Sequence, residues 1–178
     1  MDKIAKSRKL AFLLRHDTNY AFDKHGWRTI EDLTKNHGFT LEQIKEIVRT
    51  NNKNRYELSA DGLLIRASQG HSIDVDVELT ELTPPDILYH GTARKYVDSI
   101  LAEGIKSGTR LYVHLSDTVQ TAISVGQRHG SPVVLQVNAK QMFADGYTFY
   151  LSKNGVWLTT FVPAVYIKII ESSGSSLV

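Results

Sequence analysis

Apolar residues keep a helical rhythm through the first eighty positions and a shorter, strand-like rhythm beyond them. Leu10, Ala11, Leu13 and Leu14 predict a first helix from about Ser7 to His16, finishing on Arg15-His16. Thr29 is placed to cap a short second helix carrying Ile30 and Leu33, with Gly38 as its stop. Thr40 and Gln43 form a capping-box pair for a third, whose Leu41, Ile44, Ile47 and Val48 share one face. "RYELSADGLLIRA" then reads as two short strands around Asp61-Gly62.

Three helices followed by a hairpin make the winged-helix pattern, a shape often used on nucleic acids. Pro84-Pro85 cannot continue a helix and force Thr83 toward extended geometry, so residues 81–86 read as a linker between this lobe, residues 1–80, and a second lobe over 87–171. "DILYHGT" predicts a strand ending on His90-Gly91-Thr92. A helix follows, capped by Thr92, carried by Ala93, Tyr96, Val97, Ile100 and Leu101, and ended by Gly104. "LYVHLSD" passes from a strand into a helix over about 118–126, and further strands are expected at "PVVLQV", "YTFYL", "GVWLT" and "AVYIKII". The fold class is α+β, with much antiparallel sheet in the second lobe. There are no internal repeats, and the small polar tail at 172–178 is expected to fray.

Composition narrows the function classes. The chain has 178 residues, 42% hydrophobic and 22% charged, which is ordinary for a globular protein. No apolar run approaches a membrane span and no signal peptide opens the chain, so a soluble, cytoplasmic protein is expected. It contains no cysteine, which excludes disulfides, a thiol nucleophile and cysteine-zinc sites. The net charge of +2 conceals an asymmetry: about +4 through Ser72 and about −2 from Ile73 onward. That excess argues for a polyanionic partner only where arginines gather.

Several stretches carry candidate chemistry. In "YHGTARKYVDSI" a histidine and a glycine stand where a strand is expected to meet a helix start, a place where backbone N–H groups and the helix dipole suit an anion such as a diphosphate. His114 and Ser116 repeat that theme on one face of the next strand. Arg15, Arg66 and Arg128 each stand at an element end or beside turn residues, and guanidinium groups bind phosphate through paired charge-assisted hydrogen bonds. For Arg15-His16 the plainer reading is cations at the negative end of a helix. Asp74, Asp76 and Glu78 alternate with Ile73, Val75 and Val77, which predicts a half-exposed strand rather than a carboxylate site. Trp27 and Trp157 are expected to pack. No HxxxH, HExxH, Walker A or GxGxxG pattern occurs, so neither a metal site nor a Rossmann-type dinucleotide site is expected.

"FLLRH", "LLIRASQGHSI", "LYHGT", "YVHLS", "VGQRHGSPVVL" and "FYLSKNGVWLTTFVP" occur in that order, and together they resemble the RNA 2′-phosphotransferases of the KptA type from about Ser7 to Ile170. The resemblance implies an N-terminal winged-helix RNA lobe and a C-terminal ADP-ribosyltransferase-like lobe that holds NAD+ as a consumed co-substrate, without a metal, in a monomer. It implies two steps. An RNA 2′-phosphate oxygen attacks the anomeric carbon of the nicotinamide-bearing ribose and expels nicotinamide; the 2″-OH of that ribose then attacks phosphorus. The RNA leaves with a 2′-OH, and the other product is ADP-ribose 1″,2″-cyclic phosphate. By the same resemblance Arg15, His16, Arg66 and Arg128 form the catalytic group, with the arginines clamping the 2′-phosphate and His16 protonating the departing oxygen. His90, Gly91, Thr92, His114, Ser116 and Val156 line the NAD+ site. Val156 replaces the glutamate of protein-modifying ADP-ribosyltransferases, as suits an acceptor that is already an anion, while Tyr112 stands where relatives often carry histidine. Two alternatives remain: an ADP-ribosyltransferase that acts on nucleic-acid ends or protein and stops after one transfer, and a non-catalytic winged-helix nucleic-acid binder.

Overall fold

The computed structural model describes residues 3–51 and 53–170, and the chain divides into two units. The first comprises Met1–Leu79 with the short segments Thr109–Leu111 and Ser152–Gly155; the second comprises Thr80–Gly108, Tyr112–Leu151 and Val156–Val178. The tail read at 172–178 lies outside the described residues.

In the first unit the order is α1 (Lys3–Arg15), β1 (Arg28–Thr29), α2 (Ile30–His37), α3 (Leu41–Thr50), β2 (Tyr56–Leu58) and β3 (Leu64–Ala67). α1 begins four residues before the expected Ser7. Its early lysines are held from outside the helix: Lys3 pairs with Glu46, Lys6 with Gln43, and Lys9 Nζ donates to His37 O at 2.7 Å. Such contacts extend a helix past its local sequence signal. The caps of α2 and α3 are those the sequence names. Thr29 accepts from the Asp32 amide, Gly38 takes the left-handed conformation at φ 71°, and Thr40 with Gln43 closes a full capping box.

β1 is too short to announce itself in the sequence. It exists because β3 pairs with it antiparallel, Arg28 opposite Ile65, in a sheet of order β1-β3-β2. Leu10, Leu14, Leu33, Ile44 and Ile65 are fully buried between this sheet and the helices. Each such burial stabilises by roughly 1.5–3 kcal/mol. Leu41, expected on the buried face of α3, is exposed. Residues 73–79 form no strand: Val75 is buried and Asp74, Asp76 and Glu78 are exposed, so the alternation is real, but no neighbouring strand pairs with it.

The second unit contains β4 (Thr80–Glu81), β5 (Leu88–Ala93), α4 (Val97–Glu103), β6 (Ile105–Lys106), β7 (Val113–Leu115), α5 (Val119–Gly126), β8 (Pro132–Val137), α6 (Ala139–Ala144), β9 (Tyr150–Leu151), β10 (Trp157–Thr159), β11 (Phe161–Val162) and β12 (Ile167–Ile170). Its strands pair antiparallel in three groups, β4-β9-β10-β7, β12-β8-β5 and β11-β6. Leu88, Leu115, Leu135, Met142 and Phe149 lie at the centre of the core. The segment read from its prolines as a linker begins inside β4, where Glu81 pairs with Tyr150. α6, capped by Asn138, had no expectation attached to it.

Thr92 is not a helix cap: it lies within β5 opposite Val133, and a 3₁₀ turn at Arg94–Tyr96 leads into α4 without a side-chain cap. His90-Gly91-Thr92 is therefore strand interior, because β8 supplies a six-residue ladder that carries β5 through to Ala93. The expected anion cradle at a helix start is not there. Gly91 has a packing role instead: a Cβ on it would stand 1.8 Å from Ala122 O, so its missing side chain lets α5 lie against β5. Among the described residues no helix is long and apolar enough to cross a membrane, and no cluster of His, Asp and Glu suits a metal ion.

Candidate functional site

α1 ends with the carbonyls of its last turn unpaired within the helix, and the first unit deals with them from the side. Arg28, 1% exposed, reaches Leu13 O and Asp17 Oδ2 through Nη1, each at 2.8 Å. Its Nε donates to Asp32 Oδ2 at 2.7 Å, its Nη2 meets His37 Nε2, and its guanidinium lies 4.1 Å from the Tyr20 ring. Every nitrogen of Arg28 is thus engaged. It fixes residues on both sides of Arg15-His16.

Arg15 is built differently. Its Nε and Nη2 are sealed from solvent and, among the described residues, have no hydrogen-bond partner. These two nitrogens share one edge of the guanidinium and form the fork that takes two oxygens of a single anion. The group rests on Gly70, whose φ of 89° favours glycine and where an added Cβ would stand 3.6 Å from Arg15 Nε. Burial lowers the Arg15 pKa from its ordinary value. The Tyr56 hydroxyl raises it, and the cations Arg110 and Arg55 lower it further. A buried guanidinium with cationic neighbours and an open fork lacks negative charge, and its unmet donors are costly to leave bare. Gln69 Oε1 and His71 Nε2, on either side of Gly70, are likewise buried and without a partner among the described residues.

His16 continues this cluster. Its amide still bonds Phe12 O, its ring lies beside that of Phe12, and its Nδ1 is 2.9 Å from Ser72 Oγ. Burial lowers its pKa from 6.5, and Arg15 and Arg110 add to the effect. His71 is pushed down to about 4, mainly by burial, with Arg15, His16 and Arg66 contributing. It is a neutral imidazole near pH 7.

Arg66 lies on β3 and is 3% exposed. Its Nε and Nη2 both meet Glu57 Oε2 at 2.9 Å, and its Nη1 meets Glu78 Oε2 at 2.9 Å and His25 O at 3.3 Å. The guanidinium stacks 4.4 Å from the Trp27 ring, which is the packing role expected of that tryptophan. Lys153 also pairs with Glu57. Two carboxylates and two cations make this a charge-balanced group.

In the second unit His90 Nδ1 donates to His114 O at 3.1 Å, which leaves Nε2 as the acceptor nitrogen. Burial lowers the pKa of His90, the bond to His114 raises it, and His129 lowers it. Ser116 bridges Tyr89 through both backbone groups, and its hydroxyl donates to Thr118 O at 3.0 Å. His90 on β5, His114 on β7 and Ser116 just after β7 are thereby held near one another, with Thr92 buried on β5 and Val156 half-buried just before β10. Arg128 is exposed in the turn after α5.

The residues that sequence reasoning passed over are Arg28, Gln69, His71, Ser72, Arg55 and Arg110. "QGHS" is visible as a string, but nothing in it announces that Gly70 would support Arg15 and that His71 would be buried within reach of its charge. Arg28 carries no local mark of a buried charge.

A family model described as RNA 2′-phosphotransferase, Tpt1 / KptA family matches residues 1–161. A protein of Acaryochloris marina is 48% identical over 175 residues, covering 94% of this chain and 97% of its own length. One of Hahella chejuensis is 47% identical, covering 97% and 98%, and one of Agrobacterium fabrum 44%, covering 96% of each. All three carry the name "Probable RNA 2'-phosphotransferase".

Proposed function

The chain belongs to the RNA 2′-phosphotransferase, Tpt1 / KptA family, and from that premise we propose that it is a transferase that moves an internal RNA 2′-phosphate, of the kind left at a tRNA splice junction, onto NAD+. In this reading the first unit is a winged helix that holds the RNA phosphate, and the second is an ADP-ribosyltransferase-like unit that holds the dinucleotide. The α1-β1-α2-α3-β2-β3 order supports the former, and the antiparallel groups around β5, β7 and β10 are compatible with the latter.

The observation that carries the reading is the open fork of Arg15. A phosphomonoester bears roughly −1.5 to −2 charges near neutral pH and offers paired oxygens, which match that fork and the surrounding cations. His16 is the proton carrier for the departing 2′-oxygen, since its ordinary pKa lies near working pH and its neighbours favour giving the proton up. Arg66 takes part through displacement: one of its carboxylate partners yields to the phosphate. Arg128 is assigned to the phosphate by the resemblance alone. For NAD+ the polar groups of the second unit are suitable: the acceptor His90 Nε2 and the polar groups of Thr92, His114 and Ser116 suit sugar hydroxyls, with Gly91 and Val156 as apolar lining. NAD+, when bound, supplies the ribose that accepts the phosphate.

The test is incubation with a 2′-phosphorylated oligonucleotide with and without NAD+, followed by mass spectrometry. The expected products are 2′-OH RNA, nicotinamide and ADP-ribose 1″,2″-cyclic phosphate. Dephosphorylation without NAD+, or a stable ADP-ribosylated end product, overturns the proposal.

A further inference from the structure

Ser72 makes three contacts with Arg15 and His16, at and just past the end of α1. Its amide donates to Arg15 O at 3.0 Å, satisfying a carbonyl that the helix leaves open. Its hydroxyl lies 3.5 Å from that same oxygen, and 2.9 Å from His16 Nδ1. The carbonyl only accepts, whereas the imidazole nitrogen either donates or accepts. A serine hydroxyl has one proton. If it goes to Nδ1, the contact with Arg15 O becomes two oxygens facing each other with no hydrogen between them. If it goes to Arg15 O, the serine oxygen is free to accept Nδ1–H, and both contacts carry a proton. Only the second arrangement places a proton in both contacts. The other face of His16 meets the Phe12 ring, which supplies no competing acceptor, and the charged groups acting on the imidazole, Arg15 and Arg110, are both cations. Neither withdraws a proton bond from Nδ1.

We propose that Ser72 is a positioning residue that holds His16 as the Nδ1–H tautomer, so that Nε2 is the nitrogen that carries the transferred proton. This rests on the reading of His16 as the proton carrier, and it adds which nitrogen acts and what fixes it. In the neutral imidazole Nε2 then holds a lone pair; it takes up a proton from solvent, Nε2–H delivers that proton to the leaving oxygen while the attacking 2″-OH gives its own proton to solvent, and the ring returns to its starting tautomer. No proton has to move from one ring nitrogen to the other. Ser72 stays bound to Nδ1–H throughout, since an imidazolium also donates there.

The tautomer is measured directly from the nitrogen chemical shifts of ¹⁵N-histidine-labelled protein, without substrate, at a pH where His16 is neutral. The wild type is expected to show a protonated Nδ1 and a bare Nε2 at His16, and Ser72→Ala to shift the ring toward Nε2–H. Turnover of 2′-phosphorylated RNA by Ser72→Ala is expected to fall about 10- to 100-fold in kcat, because acid–base assistance is worth on the order of 10²–10⁴-fold and a serine biases the tautomer rather than abolishing the base. The KM for NAD+ stays as in the wild type, and Ser72→Thr restores both tautomer and rate. A wild-type His16 with Nε2 protonated overturns the proposal whether or not the alanine variant folds, and so does an alanine variant whose tautomer is unchanged. Failure of the parent reading looks different: the tautomer is as stated, but no 2′-phosphate is transferred.

Discussion

Arg15 and Arg28 belong to the same unit and serve the same helix end, yet they are built for opposite purposes. Arg28 has a partner on every nitrogen and an aromatic ring against its plane. Arg15 keeps a two-nitrogen fork that is sealed from solvent and has no hydrogen-bond partner among the described residues, with cations for neighbours. Burial alone does not distinguish structure from site. The distinction lies in whether the protein itself completes the charge.

The largest expected effect tests the structural side. Arg28→Ala leaves Asp17 and Asp32 without their guanidinium and frees Leu13 O, and removing one partner from a buried ion cluster typically costs about 3–5 kcal/mol. Urea unfolding of the variant should show that loss. A change under about 1 kcal/mol would mean the cluster contributes little and the comparison fails.

On the other side, Arg15→Ala is expected to cost about 100- to 1000-fold in kcat for 2′-phosphorylated RNA, as removal of one preorganised donor typically does. Its folding stability is expected to be unchanged or higher, since a poorly compensated buried charge is gone. Inorganic phosphate should raise the melting temperature of the wild type through linkage and not that of Arg15→Ala. A wild-type Tm indifferent to phosphate would count against an anion site at the fork.

The two clusters also separate by pH. His71 is held near 4 against an unfolded value near 6.5, so below pH 6.5 the unfolded chain takes up a proton that the folded one refuses. Stability is therefore lost as pH falls from about 6.5 to about 4, by about 3 kcal/mol if His71 alone is counted. The Arg28 cluster yields later. Burial pushes both Asp17 and Asp32 up, but the bonds to Arg28, joined at Asp32 by Asn36, prevail and hold both below the usual value, so both keep their stabilising charge until pH drops below 3.8. Urea titrations of His71→Asn across this range should lose the upper step and keep the lower one; an unchanged upper step would remove His71 from the account.

Sequence reasoning reached these elements unequally. The caps Thr29, Gly38 and Thr40-Gln43 were legible because each acts on residues close to it along the chain. β1 was not, since its partner Ile65 lies far along the chain from Arg28, and "HGT" was misread because β8, which decides that β5 runs on to Ala93, is some forty residues away. For the site, motifs drew attention to Arg15, His16 and Arg66 but could not say which arginine the fold would neutralise. Glu57 and Glu78 around Arg66 look like ordinary surface acids in the sequence. An arginine's role depends on its counter-charge, and counter-charge is a tertiary property.

Arg66 stands between the two types, and Glu78 offers the smallest and sharpest test of which way it leans. Glu78 is a non-glycine residue at φ 57°, and its side chain, 56% exposed, closes one nitrogen of Arg66. An exposed ion pair is worth roughly 0–1 kcal/mol, so Glu78→Ala, which loses the pair and keeps the left-handed backbone, should destabilise by about that much. Glu78→Gly loses the same pair but relieves the backbone, and should fall within a few tenths of a kcal/mol of the wild type. If Arg66 is a structural arginine like Arg28, neither variant changes the KM for 2′-phosphorylated RNA. If it takes the phosphate as proposed for Arg15, removing a competing carboxylate should lower that KM in both variants by the same factor, independent of their stabilities. A KM that instead tracks the stability difference between alanine and glycine would place Arg66 with Arg28.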